Sequence, residues 1–248
     1  MAKRIPKVGS DELWLYGIHA VRAALANPRR RSRRCLLTRA AAENIGERAL
    51  ARVHTEVVAP DRVSRILPAG AVHQGVALAC DPLPPAKLED IAALPHRKII
   101  VVLDQISDPH NVGAILRSAA AFDATAVIVQ ERHAPTESGA LAKAASGAVD
   151  IVPYLSVVNI ARALEQLGAA GFWRVALTGD AGQDLANAIV PGDLALVLGS
   201  EGAGIRRLVR ERCDDSATIP ISSRMESLNV SNAAAVALYE CRRAGGRG

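Results

Sequence analysis

The last third of the chain places the strongest constraint on the fold. Residues 194–198 form a short apolar run, and a glycine-rich turn containing a single acid, Glu201, follows at once. A short apolar run that ends at a turn is typical of a buried strand. The glycines Gly199, Gly202 and Gly204 indicate a backbone that turns tightly or lies close to a ligand. This stretch therefore predicts a buried strand that ends in a tight turn or in a loop that contacts a ligand.

A second strand-to-loop junction follows downstream. Residues 217–221 are predicted to form a short strand, and a polar loop leads from it into a helix. One face of that helix is apolar and small, with Val230, Ala233, Ala234, Ala237, Leu238 and Cys241. Open α/β sheets bind ligands where strands end in loops of this kind. The two junctions together predict one binding site.

The rest of the chain alternates strands with helices, which predicts an α/β fold with a parallel sheet. Further strands are expected at 99–103, 125–129, 151–152 and 174–178. A helix is expected to begin at Asp108, with the acid as N-cap and Pro109 in the first turn. Three prolines within residues 82–85 predict a linker. We therefore expect a small N-terminal α/β domain at 11–80, a linker at 81–96 and a second domain at 97–245.

The composition limits the class of protein. The formal net charge of +5 is compatible with a polyanionic partner. No apolar run approaches the roughly 18 to 20 residues of a membrane span, and the first residues lack the apolar core of a signal peptide. The four cysteines are far apart without metal-ligand spacing. We expect a cytoplasmic protein with reduced thiols, no bound metal and no membrane association.

Three motifs in order resemble a known family. Asn111 and Arg117 follow the predicted strand 99–103, GSEGAG occupies residues 199–204, and ESLNVS occupies residues 226–231 ahead of LYE. These motifs resemble those of the SpoU (TrmH-like) branch of the SPOUT RNA methyltransferases. GSEGAG does not match the dinucleotide fingerprint GxGxxG, and no GK[ST] follows it, so neither nucleotide-binding loop fits.

The resemblance implies more than the pattern does. It implies that the C-terminal domain is threaded as a deep trefoil knot, that the knot loops bind S-adenosylmethionine, and that two chains pair as a homodimer. The phrases YGIHAV at 16–21 and HQGVAL at 73–78 resemble an L30e-like RNA-binding domain. Together with this N-terminal domain, the resemblance implies that the protein methylates a guanosine ribose 2′-oxygen in 23S rRNA. A tRNA 2′-O-methyltransferase and a non-catalytic RNA-binding or ribosome-assembly protein remain the alternatives.

Methyl transfer to a 2′-hydroxyl requires an in-line methyl group, a route for the proton and a fixed phosphate. Arg117 suits the phosphate because a guanidinium forms paired hydrogen bonds with it. The resemblance also suggests Arg117 as proton acceptor, whereas a guanidinium that stays charged would instead stabilise the alkoxide; both roles stay open. The other catalytic candidates are Asn111, Glu201, Ser227 and Asn229. Ordinary helix capping is the alternative for Ser227 or Asn229.

The cofactor candidates come from the loops and from the resemblance. They are Thr178, Leu198, Gly199, Ser200, Gly202, Gly204, Ile219, Ile221, Leu228 and Ser231. A helix cap is the alternative role for Ser231. The chain departs from the family at Ser222-Ser223-Arg224, where a glycine is common, so this loop is expected to differ in shape.

Five arginines within residues 29–34 form the densest charge cluster of the chain. On a domain that resembles an RNA-binding module, such density favours phosphate contact over a merely solvated loop. The RNA-binding candidates are Arg30, Arg31, Arg33 and Arg34. His19 and His73 are interpreted as domain-packing histidines rather than RNA contacts.

Overall fold

The computed structural model describes residues 12–245, so the predicted domain start at residue 11 lies outside the described residues. The chain divides into two compact units. Unit 1 contains the described residues up to Pro84 together with Glu137–Asp150. Unit 2 contains Pro85–Thr136 and the described residues from Ile151 onwards.

Strands and helices alternate through both units. The strands are β1 Leu13–Tyr16, β2 Ser32–Leu37, β3 His54–Val57, β4 Val76–Cys80, β5 Ile99–Asp104, β6 Ala126–Gln130, β7 Tyr154–Val157, β8 Trp173–Leu177, β9 Leu194–Gly199 and β10 Asp215–Ala217. The α-helices are α1 Ile18–Ala26, α2 Arg39–Ile45, α3 Glu47–Leu50, α4 Pro60–Ser64, α5 Leu88–Ala92, α6 Pro109–Ala121, α7 Gly139–Ala144, α8 Ile160–Ala169, α9 Leu185–Ala188, α10 Arg207–Arg210 and α11 Val230–Gly245. A 3₁₀ turn covers Ala148–Asp150.

Unit 1 is built on a four-stranded mixed sheet in the order β1-β4-β2-β3. Strand β4 is buried along its whole length because it lies in the interior of the sheet. The α1 face with Val21 and Leu25 packs with Leu15, Leu37 and Leu78 into one apolar cluster. Thr38 begins α2, since its side chain accepts a hydrogen bond from the Ala41 amide at 3.2 Å.

The segment Glu137–Asp150 belongs to unit 1, which interrupts the second domain predicted at 97–245. Helix α7 packs on β1 so closely that a Cβ on Gly139 would lie 2.3 Å from the Trp14 carbonyl oxygen. The buried Arg30 guanidinium bonds Asp150 at 2.8 and 3.0 Å and also pairs with Glu137. The partners of Arg30 lie more than a hundred positions away in the sequence and leave no local signal.

Unit 2 contains a six-stranded, fully parallel sheet in the order β10-β8-β9-β5-β6-β7, which confirms the predicted α/β class. Strands β5 and β9 are almost fully buried at its centre, because both faces of a parallel sheet are covered by helices. Helix α6 begins as predicted, with Asp108 accepting a hydrogen bond from the His110 amide at 3.0 Å and Pro109 in the first turn. Helix α11 packs against α6.

Two predicted strands differ from the structure. The strand expected at 217–221 ends at Ala217, because its partner β8 ends in register at Leu177 and Pro220 has no amide hydrogen to donate. The strand expected at 151–152 is instead β7, which begins at Tyr154 beyond Pro153. The first difference matters for the site, since it places Ile219 and Ile221 in a loop.

Candidate active site

Two of the three motif-bearing segments leave the sheet at its centre, after β5 and β9, and the third follows the edge strand β10. Strand β5 is hydrogen-bonded to β9 on one side and β6 on the other, and Asp104 pairs in register with Gly199 at the carboxyl ends. The chain proceeds from β5 through α6 to β6, while β8 and β9 extend the sheet in the other direction. A ligand crevice forms at such a point in an open α/β sheet, because the outgoing loops diverge there.

The loop after β9 is closed at its neck. A Cβ on Gly199 would lie 2.1 Å from the carbonyl carbon of Gly204, so only glycine permits this approach. The Gly204 amide donates to the Ser200 carbonyl at 2.9 Å. Gly202 and Gly204 have φ angles of 87° and 66°, which favour glycine. The glycines therefore hold a tight turn with Glu201 exposed on it.

Asn229 joins all three motifs. Its Nδ2 donates to Glu201 Oε1 at 2.6 Å and to Asn111 Oδ1 at 3.0 Å. The Val230 amide donates to the same Glu201 oxygen at 3.3 Å. A carboxylate only accepts hydrogen bonds, which fixes the orientation of the Asn229 amide. The structure thus brings together three residues that the motifs predicted as a site.

The side-chain oxygen of Asn229 accepts hydrogen bonds at the start of α11. Asn229 Oδ1 accepts from the Ser231 amide at 3.0 Å and from the Ser231 hydroxyl at 2.6 Å. The capping interpretation therefore applies to Asn229, and its hydrogen bonds with Glu201 and Asn111 keep it a candidate site residue. Ser231 acts here as a partner of Asn229 at the first turn of α11.

Arg117 and Ser227 are placed differently. Both are exposed, and neither side chain forms a hydrogen bond or ion pair with another residue of the described part of the chain. Arg117 projects from α6 off its buried stripe of Val112, Ile115, Leu116 and Ala119. An exposed guanidinium without an acidic partner is available for an external anion.

The loop between β10 and α11 offers backbone donors. Within residues 12–245, the amides of Ile219, Ile221 and Leu228 donate no backbone hydrogen bond. Ile221 and Met225 are exposed apolar side chains of the same loop. Of the other cofactor candidates, Leu198 is buried, while Thr178 follows β8 and donates from its amide to the Ala217 carbonyl at 2.9 Å. Free amides beside apolar side chains suit an uncharged aromatic ring with a ribose.

Sequence reasoning missed one buried carboxylate. Asp104 ends β5 and is fully buried, and both of its oxygens accept hydrogen bonds from Arg206. An acid that directly follows the apolar run 99–103 is the signal that could have identified it. Arg206 lies just beyond the loop that carries Glu201, so this pair adjoins the predicted site.

The arginine cluster is only partly accessible. The Arg30 side chain is completely buried with Asp150, so its prediction as an RNA contact is wrong. Burial opposes its charge, but hydrogen bonds and Coulomb attraction from Asp150 and Glu137 prevail and raise the Arg30 pKa. By contrast, the Arg31 side chain is 87% exposed. Arg33 bonds Asp81 at 2.6 Å, and Arg34 bonds Glu12 at 2.9 Å while lying over the Trp14 ring.

The two candidate histidines also differ. His73 accepts from the Gly75 amide at 3.0 Å through Nδ1 and lies 2.9 Å from the Ser64 hydroxyl through Nε2, which confirms its packing role. His19 is exposed at the start of α1, so its predicted packing role does not hold.

Metal-ligating side chains do not cluster in the part of the chain that the structure describes. All four cysteines are free, and burial raises the pKa of each thiol to about 12. No cluster of three His, Cys, Asp or Glu side chains suited to a metal ion occurs within the described residues. Nor does any helix of that part of the chain have the length and apolar character needed to cross a membrane.

A cavity of about 450 Å³ lies beside β10. Its polar side chains bond one another: the Arg210 guanidinium donates to Asp180 at 2.9 Å, and the Gln183 amide donates to Asp215 at 2.5 Å. The hydrogen bond from Arg210 lowers the pKa of Asp180, and the one from Arg174 lowers that of Asp214. None of the predicted site residues lines this cavity.

Comparison with known proteins gives a consistent set of relatives. Residues 98–239 match the model of the SpoU rRNA methylase family, and residues 14–86 match that for RNA 2′-O ribose methyltransferase substrate binding. The chain is 36% identical over 237 residues to the 23S rRNA (guanosine-2′-O-)-methyltransferase RlmB of Vibrio vulnificus, covering 93% of this chain and 96% of that one. It is 37% identical to RlmB of Pseudomonas putida, covering 92% and 95%.

Among solved structures, the SpoU methyltransferase AviRb from Streptomyces viridochromogenes, in complex with AdoMet, has a similar fold. The TM-score is 0.81 at 24% identity, covering 96% of this chain and 92% of that one.

Proposed function

The chain belongs to the SpoU rRNA methylase family, and on this premise we propose that it methylates a guanosine ribose 2′-oxygen of 23S rRNA with S-adenosylmethionine. The observation that carries the proposal is the hydrogen-bonded group of Asn229, Glu201 and Asn111. This group unites three separate motifs at the point where an α/β sheet binds ligand.

The loops fit the cofactor. The donors of Ile219, Ile221 and Leu228 are uncharged backbone amides, which suit the hydrogen-bonding edges of an adenine and a ribose. A side chain at Gly202 would meet open space, so the loop leaves room at that position. When bound, S-adenosylmethionine supplies an electrophilic methyl group. The predicted cofactor residues are proposed to hold it: Thr178, Leu198, Gly199, Ser200, Gly202, Gly204, Ile219, Ile221, Leu228 and Ser231.

The protein side chains then orient the acceptor. Arg117 is proposed to bind the phosphate beside the target ribose, because its guanidinium is exposed and has no ion-pair partner within the described residues. A fixed phosphate prevents the ribose from drifting away from the methyl donor. Asn111 and Asn229, with Glu201, are proposed to orient the ribose, and exposed Ser227 to contact the RNA. A charged Arg117 also stabilises negative charge that develops on the 2′-oxygen.

Unit 1 is proposed to capture the RNA as an L30e-like domain. The substrate-binding family match over 14–86 supports this role. Arg31, Arg33 and Arg34 remain the candidate phosphate contacts, since each side chain is at least 43% exposed. The relatives named as 23S rRNA methyltransferases cover this domain as well, which favours rRNA over the tRNA alternative.

Two further properties belong to the same proposal. The loops of unit 2 are proposed to form the deep trefoil knot of the family, and two chains to pair through α11 in the cytoplasm. Helix α11 packs Ala234, Ala237 and Leu238 inward. It leaves Val236 and Tyr239 exposed by 44% and 56%. Apolar side chains in that position suit a second copy of the chain.

Mapping ribose 2′-O-methyl groups tests the activity. We expect one guanosine of 23S rRNA to lose its methyl group in cells without this protein and to regain it when the purified protein and S-adenosylmethionine are added. Loss of a tRNA methyl group instead would favour the tRNA alternative. An unchanged methylation map of both RNAs would support the non-catalytic alternative.

A further inference from the structure

We propose that Asp104 is a positioning residue for methyl transfer: through Arg206 it holds the loop 199–204 in the shape that brings Glu201 to Asn229. The inference rests on the proposed function and adds a residue that does not touch the substrate. It follows from three observations, namely the burial of Asp104, the closure of the loop and the contacts of Glu201.

The first observation is a charge in the centre of the sheet. The Asp104 side chain has no exposed surface. It accepts three hydrogen bonds from Arg206, from the amide at 2.9 Å, from Nε at 2.9 Å and from Nη2 at 2.6 Å. A buried carboxylate is costly to desolvate, and apolar residues of similar volume are often at least as stable. A gain in folding stability therefore explains the Asp104–Arg206 pair poorly. A requirement for one defined geometry of the loop 199–204 explains it well.

The second observation is that Asp104 contacts both ends of the loop. At the start, Asp104 pairs in register with Gly199 in the β5–β9 ladder. At the end, its carboxylate holds Arg206, two residues beyond Gly204. Between these points the Ser200–Gly204 bridge closes the neck. The loop is therefore fixed at its base by one residue.

The third observation links the loop to the reacting groups. Glu201, in the turn between these ends, accepts hydrogen bonds from Asn229 and from the Val230 amide. Asn229 in turn bonds Asn111 on α6, the helix that follows Asp104 in the chain. A ring of contacts thus runs from Asp104 through Arg206, the loop, Asn229 and α6 back to β5. Displacement of Arg206 would move Glu201 relative to Asn229.

The test compares Asp104→Asn with a matched control, Asp214→Asn. Asp214 accepts the same three kinds of hydrogen bond from Arg174, from the amide at 2.8 Å, from Nε at 2.8 Å and from Nη2 at 2.5 Å. It lies directly before β10, and within residues 12–245 its side chain forms hydrogen bonds and an ion pair with Arg174 and with no predicted site residue. Each variant removes one carboxylate charge and keeps an acceptor oxygen.

Methylation is measured under single-turnover conditions on 23S rRNA from cells that lack the protein, with thermal unfolding and S-adenosylmethionine binding measured in parallel. We expect Asp104→Asn to remain folded and to lose turnover by about 10- to 100-fold, the scale of a misplacement of about 1 Å. Asp214→Asn should stay within about threefold of the wild type. Equal losses in the two variants would overturn the proposal.

Coupling to Glu201 separates positioning from a general loss of structure. If Asp104 acts through Glu201, Asp104→Asn should lower turnover strongly in the wild type but by less than about threefold in a Glu201→Gln background. A merely structural role predicts that the two losses multiply, and that result would also overturn the proposal.

Should Asp104→Asn fail to fold, Arg206→Lys takes its place in the same measurements. It keeps the charge and the backbone hydrogen bond but loses the planar guanidinium. The wild type is the reference for the proposed function: an inactive wild type would contradict that function, whereas an active wild type with an unaffected variant would contradict only the positioning role.

Discussion

Asn229 lies with its Nδ2 atom 2.6 Å from Glu201 Oε1, so an amide donor faces a carboxylate across the predicted site. The same nitrogen reaches Asn111 Oδ1 at 3.0 Å. Because the Asn229 amide group donates to both Glu201 and Asn111, loss of this donor should disturb the positions of both side chains.

The first prediction exchanges that donor for an acid. Asn229→Asp places two carboxylates within hydrogen-bonding distance, which raises the pKa of one of them. We expect turnover to fall by at least about 100-fold at neutral pH and to recover in part as the pH falls through the raised pKa, because a protonated carboxyl donates again. The pH–rate profile measures this, with Asn229→Ala as a control that should stay low throughout. A flat profile for Asn229→Asp would argue against the role of this donor.

The second prediction concerns Arg117. Arg117→Ala should lower turnover at least about 100-fold, because a preorganised charge is removed, while cofactor binding is retained. If Arg117 is a charged clamp, Arg117→Lys should remain poor at every pH, since it lacks the planar guanidinium. If Arg117 is the base, Arg117→Lys should recover activity at a shifted pH. Near-wild-type turnover of Arg117→Ala with saturating cofactor would remove the residue from the mechanism.

The third prediction concerns RNA affinity. The triple change of Arg31, Arg33 and Arg34 to Gln should weaken rRNA binding and flatten its dependence on salt, by about 0.7–0.9 in the logarithmic slope for each lost phosphate contact. Binding is measured by filter retention across a salt series. Arg62 and Arg65, which pair with Glu56 and Asp61 in the same unit, provide the control changes to Gln. Equal slopes in all variants would identify the cluster as a solvated surface.

The fourth prediction separates Arg30 from its neighbours. Arg30→Gln leaves Asp150 and Glu137 without their guanidinium, and breaking a buried ion pair costs about 3–5 kcal/mol. The free energy of unfolding from urea titration should fall by about that amount. Arg31→Gln, at an exposed side chain, should change it by less than about 0.5 kcal/mol. A small effect of Arg30→Gln would contradict the structural role.

The fifth prediction concerns assembly. Light scattering should give twice the chain mass of 26.1 kDa. Val236→Glu should shift the protein towards the monomer, because it places a charge on the exposed apolar face of α11. Val57→Glu, at an exposed position of β3 in unit 1, is the matched control and should leave the mass unchanged. A monomeric wild type with full activity would contradict the proposed dimer.

Most residues of the candidate site could be selected from local sequence motifs, but Asp104 could not. Asn111, Glu201 and Asn229 could be selected because each stands in a recognisable motif after a strand, and the parallel sheet brings their loops together. Asp104 was missed because its partner Arg206 lies 102 positions away, and an acid at a strand end resembles any turn residue. Long-range pairing of this kind depends on the assembled sheet.

Long-range pairing also explains the error at Arg30, which was selected as an RNA contact although its side chain is buried. A run of arginines is locally indistinguishable from a solvated or RNA-binding surface, and nothing near it predicts that one member is buried. The partners that bury it, Glu137 and Asp150, are 107 and 120 positions away. The predicted strand 217–221 was wrong for a more local reason. Pro220 has no amide hydrogen, which already signals in the sequence that strand pairing cannot continue past Ala217.

The position of Glu137–Asp150 in unit 1 has a consequence for the order of synthesis. Unit 1 begins at the amino-terminal end of the chain, yet the carboxylates that neutralise Arg30 and the helix that covers β1 are made only after strands β5 and β6 of unit 2. Domains generally fold in the order in which they leave the ribosome. The Arg30 ion pairs of unit 1 can therefore be completed only after Asp150 has left the ribosome, when strands β5 and β6 of unit 2 have already been made.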